Sequence, residues 1–197
     1  MSTIKTLVMG SINIDILNNF DHYVEFLSNE KFVDKDVILV KEKKPNNRKE
    51  LCFQSPIMSD YPFGNTELLI EAPKCLSGKF SAKILTDKIA NRMLLRYDSD
   101  GGAHRNKFDD IPLSEQSVTT PHLHKYDEQG RFLAIKTSSI MKDEKKARDI
   151  ETGFHIFCEE GRLLSSVTSD YPQAFIGEMS RGLFEEETDP CEGVNFD

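Results

Sequence analysis

A chain of 197 residues with a formal net charge of -8, 38% hydrophobic residues and no tryptophan fits one domain of ordinary size. It holds no apolar run long enough to cross a bilayer, and residues 1–15 lack the charged start, apolar middle and small-residue cleavage site of a secretory leader. A cytoplasmic protein without membrane contact is expected. Its four cysteines, Cys52, Cys75, Cys158 and Cys191, are scattered without a C-x-x-C pair, which favours reduced thiols over disulfides or a cysteine-ligated zinc.

Taken in chain order, Ile4 to Leu17 is apolar and ambiguous between strand and helix. From Asn19 the spacing Phe20, Tyr23, Val24, Leu27 follows the three-and-four step of an amphipathic helix, with Asn18 or Asn19 available as its N-cap. Val37 to Val40 is a short β-branched run. Leu51 to Phe53 is its expected hairpin partner, across a basic stretch (Lys41, Lys43, Lys44, Arg48, Lys49) that reads as a solvated loop. Thr66 to Ala72 reads as a strand. Phe80, Ala82 and Ile84 alternate with Lys79, Ser81 and Lys83, the pattern of a half-buried strand. Met93 to Tyr97 is the expected neighbour of that strand, and Asp98 to Gly102 is expected to break the ladder as a flexible loop. His122 to Tyr126 and Arg131 to Lys136 flank Asp127-Glu128-Gln129-Gly130, a hairpin signal with Gly130 at the position that needs positive φ.

Lys142 to Glu160 predicts a helix. Ala147, Ile150, Phe154, Phe157 and Cys158 form its apolar stripe, Asp143 can cap its start and Gly161 can stop its end. Residues 178–197 carry seven acidic side chains and one arginine, a net of -6 that leaves -2 for residues 1–177. Such a segment buries too little apolar surface to offset its ordering entropy. The expected architecture is therefore a single α+β domain over 1–177, an antiparallel sheet packed by one or two helices, with a mobile acidic tail at 178–197.

Three of the five histidines fall within twenty-one residues, His104, His122 and His124. On an extended strand His122 and His124 share one side of the backbone. Cleaving RNA without a metal requires a base for the 2′-hydroxyl proton, an acid for the leaving oxygen and cations for the developing phosphorane charge. His104, His122 and His124 are the proton-transfer candidates. Arg96, Arg105 and Lys125 are the candidate phosphate contacts, and Tyr126 is a candidate for base stacking. No cofactor and no metal are required on this reading. Two other readings stand beside it. One is metal binding by the H-x-H pair with a third histidine, assisted by Asp98 or Asp100; His122-x-His124-x-x-x-Glu128 matches half of the cupin metal motif, without the preceding glycine or the second half. The other is that the histidines are hydrogen-bonded structural residues, as expected for His22 and His155 on helices.

The segments Leu95-Arg96-Tyr97-Asp98, Ala103-His104-Arg105-Asn106 and Thr120-Pro121-His122-Leu123-His124-Lys125 resemble the histidine-rich core of TumE-type toxins from bacterial toxin–antitoxin pairs. They are also similar to prophage-borne proteins with an R-x-D … H-x-N … P-H-x-H-x-Y pattern. The resemblance covers residues 93–136; this chain is longer, with an additional N-terminal region and the acidic tail. It implies an action on RNA, or RNA binding, and a partner antitoxin. A non-enzymatic protein whose acidic surface binds a host or partner protein is the alternative from a different class.

Overall fold

The computed structural model describes residues 12–34, 37–39, 41–44, 47–73 and 79–176; the acidic tail at 178–197 and most of the first apolar segment lie outside them. Two short helices come first, α1 (Ile14–Asn18) and α2 (Phe20–Ser28). Asn13 starts α1 by accepting a hydrogen bond from the Ile16 N–H at 3.1 Å, satisfying one of the donors that a helix start leaves without a partner. In α2 the buried stripe is Tyr23, Phe26 and Leu27, whereas Val24 is exposed.

Among the described residues fourteen strands follow, interrupted by four further helices. In chain order they are β1 (Lys31–Val33), β2 (Val37–Leu39), β3 (Lys41–Lys44), β4 (Asn47–Pro56), β5 (Met58–Ser59), β6 (Thr66–Pro73), β7 (Ser81–Thr86), β8 (Met93–Asp98) and β9 (His104–Arg105). After α3 (Leu113–Gln116) come β10 (Ser117–Val118), β11 (His122–Tyr126) and β12 (Phe132–Ile135). The helices α4 (Ser138–Lys142), α5 (Glu144–Ala147) and α6 (Ile150–Gly161) precede β13 (Leu163–Ser165) and β14 (Ala174–Ile176).

The main sheet has the order β12-β11-β8-β7-β6-β4-β3, every neighbour antiparallel. The α+β class follows from this sheet and the helices beside it. The basic stretch departs from the sequence reading. Lys41–Lys44 is a strand, and it is β3, not Val37–Leu39, that pairs with Leu51 and Cys52. Strand β2 instead runs parallel to β14, and β1 lies between a parallel β13 and an antiparallel β5. Strand β3 is an edge of this sheet.

One face of the sheet carries Leu68, Ile70, Ala82, Ile84, Leu95, Tyr97 and Leu123, all essentially buried. Against it lies α6, with Phe154, Phe157 and Cys158 inward. The Tyr97 hydroxyl donates to the Ala147 carbonyl at 2.6 Å, and the Tyr97 ring stacks on Phe80. Burying side chains of this size contributes about 1.5–3 kcal/mol each before entropy is subtracted.

The helix read over Lys142–Glu160 is three helices. Asp143 accepts from the Lys146 N–H and Asp149 from the Glu151 N–H, each at 3.0 Å, so each aspartate opens a new helix where a continuous one would need its backbone. Gly161 does not stop α6. It stays helical, with Leu95 and Ile84 where a Cβ would point, and Arg162 supplies the left-handed C-cap at φ 50°. The hairpin glycine meets expectation: Gly130 has φ 70°, and its carbonyl accepts from the Asn13 N–H at 2.8 Å. Cys52 and Cys158 are buried free thiols; the other two cysteines lie outside the described residues.

Candidate functional site

The opposite face of the sheet is polar where β7, β8 and β11 meet. Register places Lys83, Arg96 and His124 in one cross-strand row and Ser81, Asp98 and His122 in the next. Alternation along β8 and β11 then turns Arg96, Asp98, His122 and His124 to the same side. Over this face folds the segment between β8 and β11. Its β9–β10 ribbon carries His104, and Asn106 fixes it in place. The Asn106 side chain donates to the Ala134 carbonyl at 2.8 Å and accepts from the Ala134 N–H at 3.0 Å. That amide extends the ladder of edge strand β12 as a further strand would. Arg131 adds an ion pair to Asp110 at 2.6 Å, and the Arg148 guanidinium donates to the Thr120 carbonyl at 2.9 Å.

The three imidazoles converge. Ring centroids lie 4.7 Å apart for His122 and His124, 4.7 Å for His104 and His124, and 6.2 Å for His104 and His122. The Nε2 atoms of His122 and His124 are 2.9 Å apart, and one carboxylate oxygen of Asp98, Oδ2, is 3.2 Å from His124 Nε2 and 3.6 Å from His122 Nε2. The other oxygen, Oδ1, accepts from Arg96 Nε at 2.9 Å and lies 2.9 Å from Arg96 Nη2. His122 Nδ1 faces the Thr119 carbonyl at 3.3 Å; since a carbonyl only accepts, the proton of a neutral His122 is on Nδ1 and its Nε2 is bare. His124 Nδ1 is buried with no hydrogen-bond partner.

Exposure grades the group from floor to mouth. Asp98, His122 and His124 are buried, whereas His104 and Arg96 are partly exposed. Burial alone would raise the Asp98 carboxyl, but the hydrogen bond from His124, the close imidazole of His122 and the charge and hydrogen bond of Arg96 outweigh it and hold Asp98 well below the usual carboxylate range. Burial lowers His124 against a counteracting hydrogen bond that it donates to Asp98. His104 is lowered by burial and then by the neighbouring imidazoles. The floor thus holds an ionised carboxylate beside His124, which burial biases toward the neutral form. Above it lies a cavity of about 390 Å³, walled by Phe132, Met93 and the Gly101-Gly102-Ala103 backbone. A larger groove of about 920 Å³ near Gln54 and Arg92 has its charged groups engaged already, Arg92 paired with Glu67 and Asp87 accepting from the Asn65 side chain.

Of the residues singled out from sequence, His104, His122, His124 and Arg96 are brought together. Arg105 is exposed on β9, against Gln116 at 3.4 Å, and lies outside the cavity wall. Lys125 points to the helix face, where it pairs with Glu160. Tyr126 is buried, edge-on to Tyr23, and its hydroxyl accepts from Asn91 and Asn13, so its ring is core and not a stacking platform. His22 packs on Phe63 and His155 on Tyr171, both apart from the cavity. The residue that sequence reading undervalued is Asp98, taken for a loop residue yet the last residue of β8. The i, i+2 spacing of Arg96 and Asp98 was the available signal, since a strand puts both on the face that takes the histidines.

Comparison with protein-family models, characterised proteins and solved structures gives no match for this chain.

Proposed function

We propose that the pocket binds and acts on a phosphodiester, with RNA as the substrate class, in a protein of toxin-like type. The observation that supports this reading is the gathering of three imidazoles and the Arg96–Asp98 pair in one cavity of about 390 Å³. A phosphate entering from solvent meets the partly exposed side chains first. Arg96 turns Nε and Nη2 toward Asp98, and a guanidinium has five N–H groups, so donors remain for phosphate oxygens. His104, held toward its neutral form, is the imidazole placed to accept a substrate proton. The backbone of Gly101 and Gly102 can approach a phosphate without a side chain intervening. A partner antitoxin of this type would act by covering the cavity mouth.

His122 and His124 have a different part from the one expected of a base and an acid. In-line displacement places base and acid on opposite sides of phosphorus, whereas these two Nε2 atoms point at one another. They belong to the floor of the site, beneath His104 and Arg96. The test is incubation with mixed-sequence RNA at low salt over pH 5 to 8, with and without divalent metal. Cleavage or binding that falls at least about 100-fold in His104→Ala and weakens in Arg96→Ala supports the reading. Wild-type protein that neither cuts nor binds RNA under any of these conditions overturns it.

A further inference from the structure

The geometry points to a resident divalent transition-metal ion held by Asp98 Oδ2, His122 Nε2 and His124 Nε2. This goes beyond the phosphodiester reading and does not need the substrate to be RNA, although it concerns the same pocket. Among the described residues these are the only three side chains of metal-ligating type whose donor atoms gather so closely.

The separations carry the argument. The three atoms form a triangle with sides of 2.9, 3.2 and 3.6 Å. A circle through its corners has a radius of about 1.9 Å, so an ion roughly 0.9 Å out of the plane sits about 2.1 Å from all three, the bond length of imidazole and carboxylate ligands to zinc. Two imidazoles and one carboxylate on one side of an ion leave its other positions open toward the cavity, the arrangement of catalytic metal sites.

Proton bookkeeping agrees. With His122 neutral and its proton on Nδ1 toward Thr119, its Nε2 carries a lone pair. Asp98 Oδ2 is an acceptor as well. A neutral His124 can offer one Nε2 proton to both, and His122 Nε2 still faces Asp98 Oδ2 without a proton between them. When the His124 proton sits on Nδ1 instead, its Nε2 also carries a lone pair, and a divalent cation satisfies all three at once. The surrounding contacts are those that orient metal ligands: a backbone carbonyl on the far nitrogen of His122, and Arg96 on the far oxygen of Asp98. Because Arg96 already matches the charge of Asp98, a bound dication leaves the pocket net positive, which an anionic substrate would balance.

The test uses the full-length chain stripped with a chelator and titrated with Zn²⁺, followed by calorimetry and by NMR of the imidazole rings. One equivalent is expected to bind more tightly than about 10 µM, moving two histidine rings while those of His22 and His155 stay in place. Co²⁺ at the same site should give the visible absorption of a four- or five-coordinate ion. Asp98→Asn, His122→Ala and His124→Ala should each weaken Zn²⁺ at least about 100-fold, and His155→Ala should not. Binding weaker than about 10 µM in wild-type protein overturns the inference and assigns the triangle to a shared extra proton, as does binding that leaves the rings of His122 and His124 unmoved. The ring measurement needs no variant, so a variant that fails to fold does not block the decision. Zinc bound without action on RNA sinks only the phosphodiester reading; action on RNA by a protein that fails to bind zinc sinks only the metal.

Discussion

Replacing Asn106 by alanine tests how the segment bearing His104 is held over the sheet. The side chain is buried and makes two hydrogen bonds, both to the backbone of Ala134, at 2.8 and 3.0 Å. Alanine leaves an N–H and a C=O on β12 without partners, and each orphaned buried group costs about 1–3 kcal/mol. Since β12 is a sheet edge, water can reach part of the gap, which brings the expected loss to about 2–3 kcal/mol. Urea unfolding followed by far-ultraviolet circular dichroism measures it, the chain having no tryptophan to report by fluorescence. Amide exchange at Ala134 should accelerate together with exchange across residues 104–118. Asn106→Asp should not rescue stability, because a second carboxylate oxygen would face the Ala134 carbonyl. A loss below about 0.5 kcal/mol with unchanged Ala134 exchange would refute the reasoning and show that the segment is held elsewhere.

Gly153→Ala should destabilise α6 by about 2–3 kcal/mol despite alanine's better helix propensity, because its Cβ would lie 2.5 Å from the Ala147 carbonyl oxygen and 2.7 Å from Phe80; thermal unfolding measures this. Tyr97→Phe should cost about 1–2 kcal/mol in urea unfolding by leaving the Ala147 carbonyl without its hydroxyl donor. Lys31 is fully buried, its ammonium donating to the Phe26, Leu27 and Asn29 carbonyls at the end of α2. Burial, with the charge of Arg162 nearby, lowers it to about 7. The unfolded chain then binds more protons above that pH, so stability should rise by about 2–3 kcal/mol from pH 7 to 9.5. Lys31→Met should flatten that rise in denaturant titrations; an equal slope in the variant would disprove the assignment.

Strands whose two faces differ were legible before any coordinates. Phe80, Ala82 and Ile84 alternate because one face meets α6, and Gly130 marks its turn because the hairpin requires positive φ. The H-x-H pair was legible for the same reason. What failed depended on context. Lys41–Lys44 looks like a loop until its position at a sheet edge is known, and the aspartates at 143 and 149 divide a run whose apolar stripe reads as continuous. In the site, local parity was enough to place Lys125 on the wrong face and Asp98 on the right one. It was not enough for Tyr126, which shares the parity of the histidines yet lies farther along β11 against Tyr23. Nothing in the local sequence announces Asn106 or Lys31, whose partners are set by how separate segments meet.

The connectivity of the strands has a consequence for the order of assembly. In the main sheet each strand pairs with its near neighbours along the chain, so apart from residues 99–121 between β8 and β11 the loops closed from β3 to β12 are short and zipping can proceed hairpin by hairpin. The parallel pairs β1–β13 and β2–β14 join residues more than 130 positions apart. They bear the largest closure entropy and rest on three residue pairs each. They should therefore assemble last and open first, as a unit that exchanges its amides at lower free energy than the meander. The pocket is built on β8 and β11, inside the early, persistent unit, so a breathing seam at the β1–β13 and β2–β14 pairs leaves the histidines in register.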